Sequence, residues 1–188
     1  MKKYELTGEV KVKFGVTFKR IRALIDFGNV KKGELGGFIE KEENLSHENN
    51  AWVYDDAWVY GNARVYDDAE VSGNAKVYGD AWVSGNARVY DNARVSGNAE
   101  VYGNAEVSGN AEVSGNADYV LIGRVGSRFG FTTFFRNKNN EIYVSCGCFL
   151  GTLAKFRKKV KETHGTDTKY AKVYQAAADL AEMQILNK

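Results

Sequence analysis

Residues 51–117 read AWVYDDAWVYGNARVYDDAEVSGNAKVYGDAWVSGNARVYDNARVSGNAEVYGNAEVSGNAEVSGNA, a six-residue unit repeated without interruption. Valine recurs at every sixth position from Val53 to Val113, and alanine does so from Ala51 to Ala117, always after Asn or Asp. A period of six is too short for a helical repeat and instead provides one short strand and one corner, which is typical of a β-helix. The valines are predicted to point inward from each flat strand, and the small alanines to fit the tight space beside each corner. The Gly/Asp-Asn/Asp pairs supply corner residues that tolerate unusual φ.

Three hexads are predicted to form one triangular coil, so that residues eighteen positions apart lie above one another. Twelve alanine-bearing hexads then give about four coils, and at ~4.8 Å per coil the rod is roughly 20 Å tall. Opposite charges along the outside contribute only ~0–1 kcal/mol each and set register more than stability. The residue before each valine forms three predicted columns: Trp52, Glu70, Arg88 and Glu106; Trp58, Lys76, Arg94 and Glu112; Arg64, Trp82 and Glu100.

The segment before the repeat is predicted to cover the upper end of the rod. A solenoid exposes a raw strand edge at each end, and such edges need covering. Val10, Val12 and Phe14 alternate with charged residues before a turn at Gly15, which predicts short strands. We therefore expect residues 1–48 to form an N-terminal β cap and an irregular first coil, followed by the rod over residues 49–118.

The segment after the repeat, residues 119–188, is predicted to be a small α+β module that closes the lower end. Three strands are expected at 119–125, 132–136 and 141–146, with residues 137–140 as a hairpin turn. Two helices follow, the first capped by Thr152 and ended by Gly165, the second capped by Asp167. The apolar face of the second helix is predicted to carry Tyr170, Val173, Tyr174, Ala177, Leu180 and Ala181.

Composition predicts a soluble protein of a reducing cytoplasm. No segment approaches the ~20 apolar residues that span a bilayer, and the first residues lack the apolar run of a signal peptide. Cys146 and Cys148 cannot build a disulfide framework. Charge is uneven: formal charges give +2 for residues 1–50, −7 for residues 51–118 and +7 for residues 119–188, so an acidic rod adjoins a basic module.

The Val…Ala hexads resemble those of the hexapeptide-repeat proteins that form left-handed β-helices, many of which are trimeric acyltransferases. The segment 20–56, with Asp26-Phe27-Gly28-Asn29, Gly36-Gly37-Phe38 and Asn44-Leu45-Ser46, looks like the N-terminal part of poorly characterised transferase-like β-helix proteins of bacteria and their prophages. The resemblance implies a mainly β fold, a left-handed parallel β-helix of about four coils between the two end modules. It also implies a homotrimer.

The C-terminal segment resembles a small module of proteins from phages and prophages of Gram-positive bacteria. The motifs that carry this likeness are Gly126-Ser127-Arg128, Thr132-Thr133-Phe134, Cys146-Gly147-Cys148-Phe149 and Glu162-Thr163-His164-Gly165.

Hexapeptide acyltransferases generally use a histidine near the coils as general base. Here His47 precedes the rod and His164 ends a predicted helix. The chain therefore differs from those enzymes in having no histidine within the repeat to act as general base.

Two groups of polar side chains are candidate sites. Arg128, Thr132, Thr133 and Lys155 could bind an anion beside the start of the first helix, where free N–H groups favour phosphate; the alternative is a turn with ordinary strand threonines. Cys146 and Cys148 are expected on one face of a strand, either as a reactive or metal-sharing pair with His164 or, as we favour, as two buried thiols. No cofactor or metal is predicted.

Two surfaces are candidate interfaces. Lys155, Arg157, Lys158, Lys159 and Lys161 give the first helix a basic surface, but aromatic residues fall on its opposite face, so nucleic-acid binding is not favoured. Nine large aromatic residues beside the valines would be unusual exposure on a monomer, and we predict that they pack between subunits or against a partner. They are Trp52, Trp58, Trp82, Tyr54, Tyr60, Tyr66, Tyr78, Tyr90 and Tyr102.

These observations favour a non-enzymatic binding protein of phage or prophage type in the cytoplasm of a bacterial host. It would sequester a small anionic, nucleotide-like ligand or block a host defence protein. The alternatives are an acyl-CoA-dependent hexapeptide acyltransferase and a structural scaffold without ligand, because fold seldom fixes function.

Overall fold

The computed structural model of the chain describes residues 1–13 and 15–186, with a three-sided parallel β-solenoid between two end modules. The predicted fold class is confirmed in these terms. Phe14, which belongs to the first predicted strand, lies outside the described residues, as do Asn187 and Lys188 at the end of the third predicted module.

The N-terminal cap is a β-hairpin that extends one side of the solenoid. Strand β1 (Tyr4–Lys13) pairs antiparallel with β2 (Val16–Ala23), which pairs antiparallel with β3 (Leu35–Ile39). Strand β3 then pairs in parallel with the first coil, placing Phe38 beside Trp58. The strand edge at the upper end of this side is therefore covered by the hairpin, as the cap prediction requires.

Eleven two-residue strands form the three sides of the rod, and we name each side after its tryptophan. The Trp58 face contains β5, β8, β11 and β14, the Trp52 face contains β4, β7, β10 and β13, and the Trp82 face contains β6, β9 and β12. In chain order they are β4 (Trp52–Val53), β5 (Trp58–Val59), β6 (Arg64–Val65), β7 (Glu70–Val71), β8 (Lys76–Val77), β9 (Trp82–Val83), β10 (Arg88–Val89), β11 (Arg94–Val95), β12 (Glu100–Val101), β13 (Glu106–Val107) and β14 (Glu112–Val113).

The register along each face is the predicted eighteen residues. Arg88 pairs with Glu70 above it and with Glu106 below it. The other two outward columns pair in the same register, so all three predicted columns are confirmed. Every repeat valine from Val53 to Val113 is at most 1% exposed, as are the alanines from Ala51 to Ala111. Burial of an apolar side chain of this size stabilises the fold by ~1.5–3 kcal/mol, and the inward valines therefore dominate the stability of the rod.

Aspartate replaces glycine at some corners because it adds a contact between coils. Asp55, Asp67 and Asp91 adopt a positive φ of 53–59°, as the corner glycines also do. Each carboxylate accepts a hydrogen bond from the backbone N–H eighteen residues later, at 3.0–3.1 Å. Asp tolerates this left-handed conformation better than most residues, and the bond to the next coil offsets the remaining strain.

A buried lysine closes the top of the rod. The Lys3 side chain is 1% exposed, and its ammonium donates hydrogen bonds to the backbone carbonyls of Glu48, Asn49 and Ala51 at 2.8–3.2 Å. Desolvation lowers the pKa of Lys3 from 10.5 to about 8, although Asp68 opposes the shift. The amine therefore loses its proton more easily in the folded protein than in the unfolded chain.

We predict that Lys3→Met destabilises the protein by about 1–3 kcal/mol, since three carbonyls lose their donor. Between pH 8 and 10.5 the unfolded chain binds more protons at Lys3 than the folded one, so the contribution of Lys3 to stability rises with pH over this interval. The difference in unfolding free energy between wild type and Lys3→Met, measured by urea titration at several pH values, should therefore be larger at pH 10 than at pH 7. A difference that shrinks with rising pH would contradict this assignment.

The C-terminal module is a four-stranded antiparallel sheet with two helices. Its strands are β15 (Tyr119–Val125), β16 (Gly130–Arg136), β17 (Ile142–Cys146) and β18 (Phe149–Thr152), followed by α1 (Leu153–His164) and α2 (Lys169–Leu186). Three strands were predicted, and the fourth, β18, was missed. It follows a tight turn at Gly147, with φ 59°, and pairs antiparallel with β17. No described helix has the length and apolar character that crossing a membrane demands.

The predicted N-terminal capping residue is correct for α1 and wrong for α2. Thr152 accepts a hydrogen bond from the Lys155 N–H, which confirms the cap of α1. At α2 the predicted cap, Asp167, is wrong: the Thr168 hydroxyl accepts from the Ala171 N–H at 3.2 Å. Of the predicted apolar face of α2, Ala177 and Ala181 are buried, together with Ala171, Ala178 and Ile185. Tyr170 and Leu180 are exposed, so the prediction was wrong for these two.

The module closes the lower end of the rod, as predicted. Phe135 is fully buried in the same apolar cluster as the repeat valines. The Glu106 N–H donates to the Thr133 hydroxyl at 3.0 Å, and the Ser145 hydroxyl donates to the Glu106 carboxylate at 2.8 Å. The last coil is thus covered by an apolar ring and hydrogen-bonded at its strand edge.

Candidate ligand-binding cleft

Two of the predicted surface tryptophans are not on the surface. Trp52 is fully buried against Tyr4 and Phe27 of the cap, with ring centroids 6.1 and 5.3 Å apart. Trp58 is 6% exposed and packs edge-on against Phe18, 4.5 Å away. The expectation of nine exposed aromatics was therefore wrong for these two, because the cap contributes aromatic partners from distant parts of the chain.

The tyrosines remain partly accessible, and two of them stack along the Trp58 face. The rings of Tyr60 and Tyr78 are 5.0 Å apart and within 9° of parallel. Burial raises the pKa of Tyr60 above its ordinary value. The next two positions of this column are Ser96 and Ser114. The stack therefore ends at Tyr78, whose second ring face lies toward a small serine one coil below.

A cleft opens at this point between the rod and the C-terminal module. It encloses about 290 Å³. We call it the Tyr78 cleft. The rod contributes the outward side chains and hydroxyls of the Trp58 face, and the module contributes the turn that the sequence predicted at 137–140. The lining residues are Tyr78, Arg94, Ser96, Glu112, Ser114, Arg136, Asn137, Lys138 and Asn140.

The turn is built by its own asparagines and is fixed to the rod. The Asn137 side-chain oxygen accepts hydrogen bonds from the N–H groups of Asn139 and Glu141, both at 2.9 Å, and Asn140 adopts a φ of 61°. The Lys138 N–H donates to the Asn110 carbonyl on the last coil, at 3.1 Å. The wall of the cleft that carries Lys138 is therefore held in place by the backbone.

Cations outnumber anions in the cleft lining. Arg136 donates to Asp118 at 2.9 Å, and also bonds to Asn140 and to the Ile185 carbonyl; Asp118 is 2% exposed. Arg94 pairs with Glu112 at 3.0 Å, but both side chains are about half exposed, and such pairs contribute ~0–1 kcal/mol. An anion in the cleft could therefore compete with Glu112 for Arg94.

The sequence-predicted anion residues are not brought together. Thr132 and Thr133 are buried on opposite faces of β16, since successive strand residues alternate. Thr133 accepts from the rod at Glu106, whereas Thr132 donates to the Cys146 sulfur at 3.2 Å. Arg128 and Lys155 are exposed, and none of the four lines the Tyr78 cleft. An anion site shared by all four has no support in this geometry.

The two cysteines do not share a strand face, contrary to expectation. The turn at Gly147 separates them, leaving Cys146 half-buried at the end of β17 and Cys148 exposed at the hairpin tip. Both thiols are free. His164 stacks on Tyr174, 5.7 Å away. Within residues 1–13 and 15–186, no three His, Cys, Asp or Glu side chains converge as a metal site would require.

Neither histidine lies in the Tyr78 cleft. His47 stacks on Tyr4 in the cap, 4.2 Å away, and its Nδ1 accepts from the Lys3 N–H at 3.3 Å. Burial lowers the pKa of His47, although Glu42 opposes this, with its carboxylate 3.9 Å from Nε2. Both histidines therefore have packing roles at the two ends of the molecule.

The basic surface of α1 is partly neutralised by α2. Arg157 pairs with Asp179 and Glu182, both at 2.7 Å. A groove of about 620 Å³ between the helices contains Arg157, Lys158, Lys161 and Lys172, together with Asp179. Aromatic side chains, which would stack nucleic-acid bases, are not part of its lining.

Sequence reasoning identified Tyr78 only as one of nine surface aromatics and missed Arg94, Arg136 and Lys138 as a group. One signal was present: the Trp58-face column reads Tyr60, Tyr78, Ser96, Ser114, an aromatic stack that stops halfway. The opposite wall gave no such signal, because nothing in the sequence indicates where the 137–140 turn docks.

Comparison with known proteins identifies the repeat. A family model described as the YdcK β-solenoid repeat matches residues 57–73 and 87–103, both within the rod. A protein named "Uncharacterized acetyltransferase YdcK", from Escherichia coli (strain K12), is 36% identical over 72 residues, which is 34% of this chain and 22% of that protein. The chain thus spans about a fifth of the length of this curated relative. The predicted resemblance to hexapeptide-repeat, transferase-like proteins is confirmed for the repeat.

Proposed function

We propose that this chain is a non-enzymatic binding protein that captures a small planar anion, of the nucleotide class, in the Tyr78 cleft. The observation that carries the proposal is the stack of Tyr60 on Tyr78, which among the described residues is the aromatic contact of Tyr78, and which ends above Ser96 in a cleft lined by Arg94, Arg136 and Lys138. A planar ring placed there would continue the Tyr60–Tyr78 stack by one coil.

The chemistry of the lining suits both parts of a nucleotide. A base stacked on an aromatic ring gains ~1–3 kcal/mol, and the ~4.8 Å coil spacing leaves room for one ring above a serine. Arginine and lysine bind phosphate through charge-assisted hydrogen bonds. The volume of about 290 Å³ is at the small end of the range for ligand pockets, ~300–1,000 Å³, which favours a single mononucleotide over a longer ligand.

An acyltransferase is the second candidate, favoured by the name of the E. coli relative. Acyl transfer requires a base to remove a proton from the acceptor. The two histidines of this chain lie at its ends, stacked on Tyr4 and Tyr174. We therefore rank capture of a ligand above catalysis.

The resemblance to phage and prophage proteins suggests a use for such capture. Removal of a nucleotide signal from the cytoplasm of a bacterial host would disable a defence that depends on that signal. The free thiols Cys146 and Cys148 are compatible with a reducing compartment. Blocking a host defence protein is the other form that the proposal takes.

The test fills the cleft with the side chain that the repeat itself uses. Ser96→Tyr should extend the Tyr60–Tyr78 stack and occupy the ligand position without disturbing the fold, since the repeat alternates Tyr and Ser here. Calorimetric titration with the common ribonucleoside 5′-monophosphates should show binding to wild type, weakened at least about tenfold in Ser96→Tyr, the equivalent of losing one stacked base. Ser72→Tyr makes the same change on the Trp52 face and should leave binding unchanged.

Adenosine and inorganic phosphate, titrated separately, should each bind more weakly than the nucleotide, because each uses one half of the cleft. Equal affinities of Ser96→Tyr and wild type would contradict the assignment of the site. Turnover of acetyl-CoA with an acceptor by the purified protein would establish the acyltransferase instead. A protein that binds no nucleotide but retains a host defence protein would leave only the blocking form of the proposal.

A further inference from the structure

The end modules contact the Trp82 face at its two ends, where Leu45 bridges to Val65 and the Tyr119 hydroxyl donates to the Glu100 carbonyl. Its three strands form a sheet of their own, as do the four strands of the Trp52 face, whereas the Trp58 face continues into the hairpin of the cap. Among the described residues of the rod, the exposed large hydrophobic side chains are Trp82 and Tyr102, both on this face, at 43% and 56%. The Tyr102 ring also contacts the Tyr119 ring of the C-terminal module, with centroids 6.4 Å apart. A groove of about 500 Å³ lies beside Trp82, Tyr66 and Arg64.

The outward charges of this face also differ from those of the other two. On the Trp52 face Arg88 pairs with Glu70, at 3.4 Å, and on the Trp58 face Arg94 pairs with Glu112. On the Trp82 face, Arg64 and Glu100 are separated by Trp82 and are two coils apart. Across the part of the chain that the structure describes, neither of them has an ion-pair partner within 4.0 Å.

The column Arg64, Trp82, Glu100 is complementary to itself when reversed. If two copies face each other about a two-fold axis along strand β9, Arg64 of each copy lies opposite Glu100 of the other, and the two Trp82 rings meet at the centre. The neighbouring column, Tyr66, Ser84, Tyr102, reads the same in both directions, so tyrosine lies opposite tyrosine. Neither the Trp52 column nor the Trp58 column has this symmetry.

The net charges of the modules favour the same arrangement. Antiparallel rods keep the two basic C-terminal modules, each with +7, at opposite ends of the dimer, where each lies beside the partner's N-terminal segment, with +2. Parallel rods would place the two basic modules side by side and would set Arg64 against Arg64. Like charges set side by side are unfavourable, so the parallel arrangement is disfavoured.

We propose that the Trp82 face is a homodimer interface, in which a second copy of this chain docks antiparallel about a two-fold axis through Trp82. The interface is isologous, since the same patch serves both subunits. The paired Trp82 rings form its centre, where tryptophan is enriched in interfaces. The Arg64–Glu100 pairs lie on either side and fix the register. The dimer takes the place of the trimer that the resemblance implies.

Sedimentation velocity at micromolar concentration should show a dimer for wild type. Arg64→Glu and Glu100→Arg should each weaken the dimer at least about tenfold, because each sets like charges against each other across the axis. The double variant Arg64→Glu/Glu100→Arg should recover the dimer. In antiparallel copies each new glutamate at position 64 lies opposite a new arginine at position 100, whereas parallel copies would set like charges against each other. Arg88→Glu, on the Trp52 face, is the matched control and should leave the dimer intact.

Circular dichroism melting of each variant separates loss of the interface from loss of the fold, since the single variants should keep the wild-type fold. A monomeric or trimeric wild type would overturn the proposal, as would a dimer that neither single charge reversal weakens. Failure of the double variant to recover would overturn the antiparallel orientation.

Discussion

Val89→Asp is expected to unfold the rod or to lower its unfolding free energy by about 5 kcal/mol or more. Val89 is fully buried between Val71 above and Val107 below. The change removes ~1.5–3 kcal/mol of apolar burial and places a carboxylate among valines and alanines, where no donor is available to it. A loss of this size approaches the whole stability of an ordinary domain, ~5–15 kcal/mol. Urea denaturation followed by far-ultraviolet circular dichroism measures it.

Arg88→Asp is the matched control, since it introduces the same residue one position earlier on the outside of the same strand. Arg88 is exposed, and its pair with Glu70 is a surface contact at 3.4 Å. We expect a change of no more than ~1 kcal/mol. Equal effects of the two aspartates would mean that the side chains of this strand do not alternate between the inside and outside of the rod.

Gly37→Ala is expected to destabilise the protein by about 3 kcal/mol, because the added methyl group has no space. A Cβ atom at Gly37 would lie 2.6 Å from the Ala57 carbonyl oxygen and 2.7 Å from a methyl of Val53. The oxygen belongs to the backbone of the first coil, so it cannot move without disturbing the pairing of β3 with that coil. The clash is steric and arises from close approach of the cap to the rod.

Gly8→Ala provides the comparison within the same cap. Nothing lies within 4 Å of a Cβ atom at Gly8, in strand β1. This substitution should be neutral or slightly stabilising, because alanine has less conformational freedom than glycine in the unfolded chain. Thermal melting of both variants measures the difference. Similar melting temperatures for the two would show that the cap does not approach the first coil this closely.

The rod could be predicted from sequence almost residue by residue, because each hexad repeats the same local solution. The eighteen-residue register, the inward valines and the outward columns follow from the period alone. The cap does not obey it: Ile39 lies above Val59, and Leu45 above Val65, both at a separation of twenty residues. Two extra residues per coil remove the periodic signal, so neither this register nor the burial of Trp52 could be derived.

One wall of the Tyr78 cleft could be predicted from the repeat, and the other could not. The stack of Tyr60 on Tyr78, and its end at Ser96, can be read from residues eighteen apart. The wall that carries Lys138 cannot, because its position depends on tertiary docking. Phe135 is buried in the core cluster of the rod, and Asn137 forms a bridge with Ala111 of the last coil. The 137–140 turn was predicted correctly as local structure, but its place beside Arg94 has no local cause.

The dependence on tertiary contacts also explains why the anion site suggested by the sequence has no support in the structure. Thr132 and Thr133 read as polar residues near a helix start. Their hydroxyls instead join two parts of the fold, Thr133 to the rod and Thr132 to Cys146. Hydroxyl groups that complete a strand edge and those that bind a ligand have the same sequence signature, and only their partners distinguish them.

The location of a bound nucleotide tests the account most directly. A crystal structure of the protein with the ribonucleoside monophosphate that binds best in titration should show the base parallel to the Tyr78 ring, on the side of Ser96. Its phosphate should lie within hydrogen-bonding distance of Arg94 or Lys138. A nucleotide bound elsewhere on the molecule, or a Tyr78 cleft that stays empty at saturating nucleotide, would contradict the proposal that this cleft is the nucleotide-binding site.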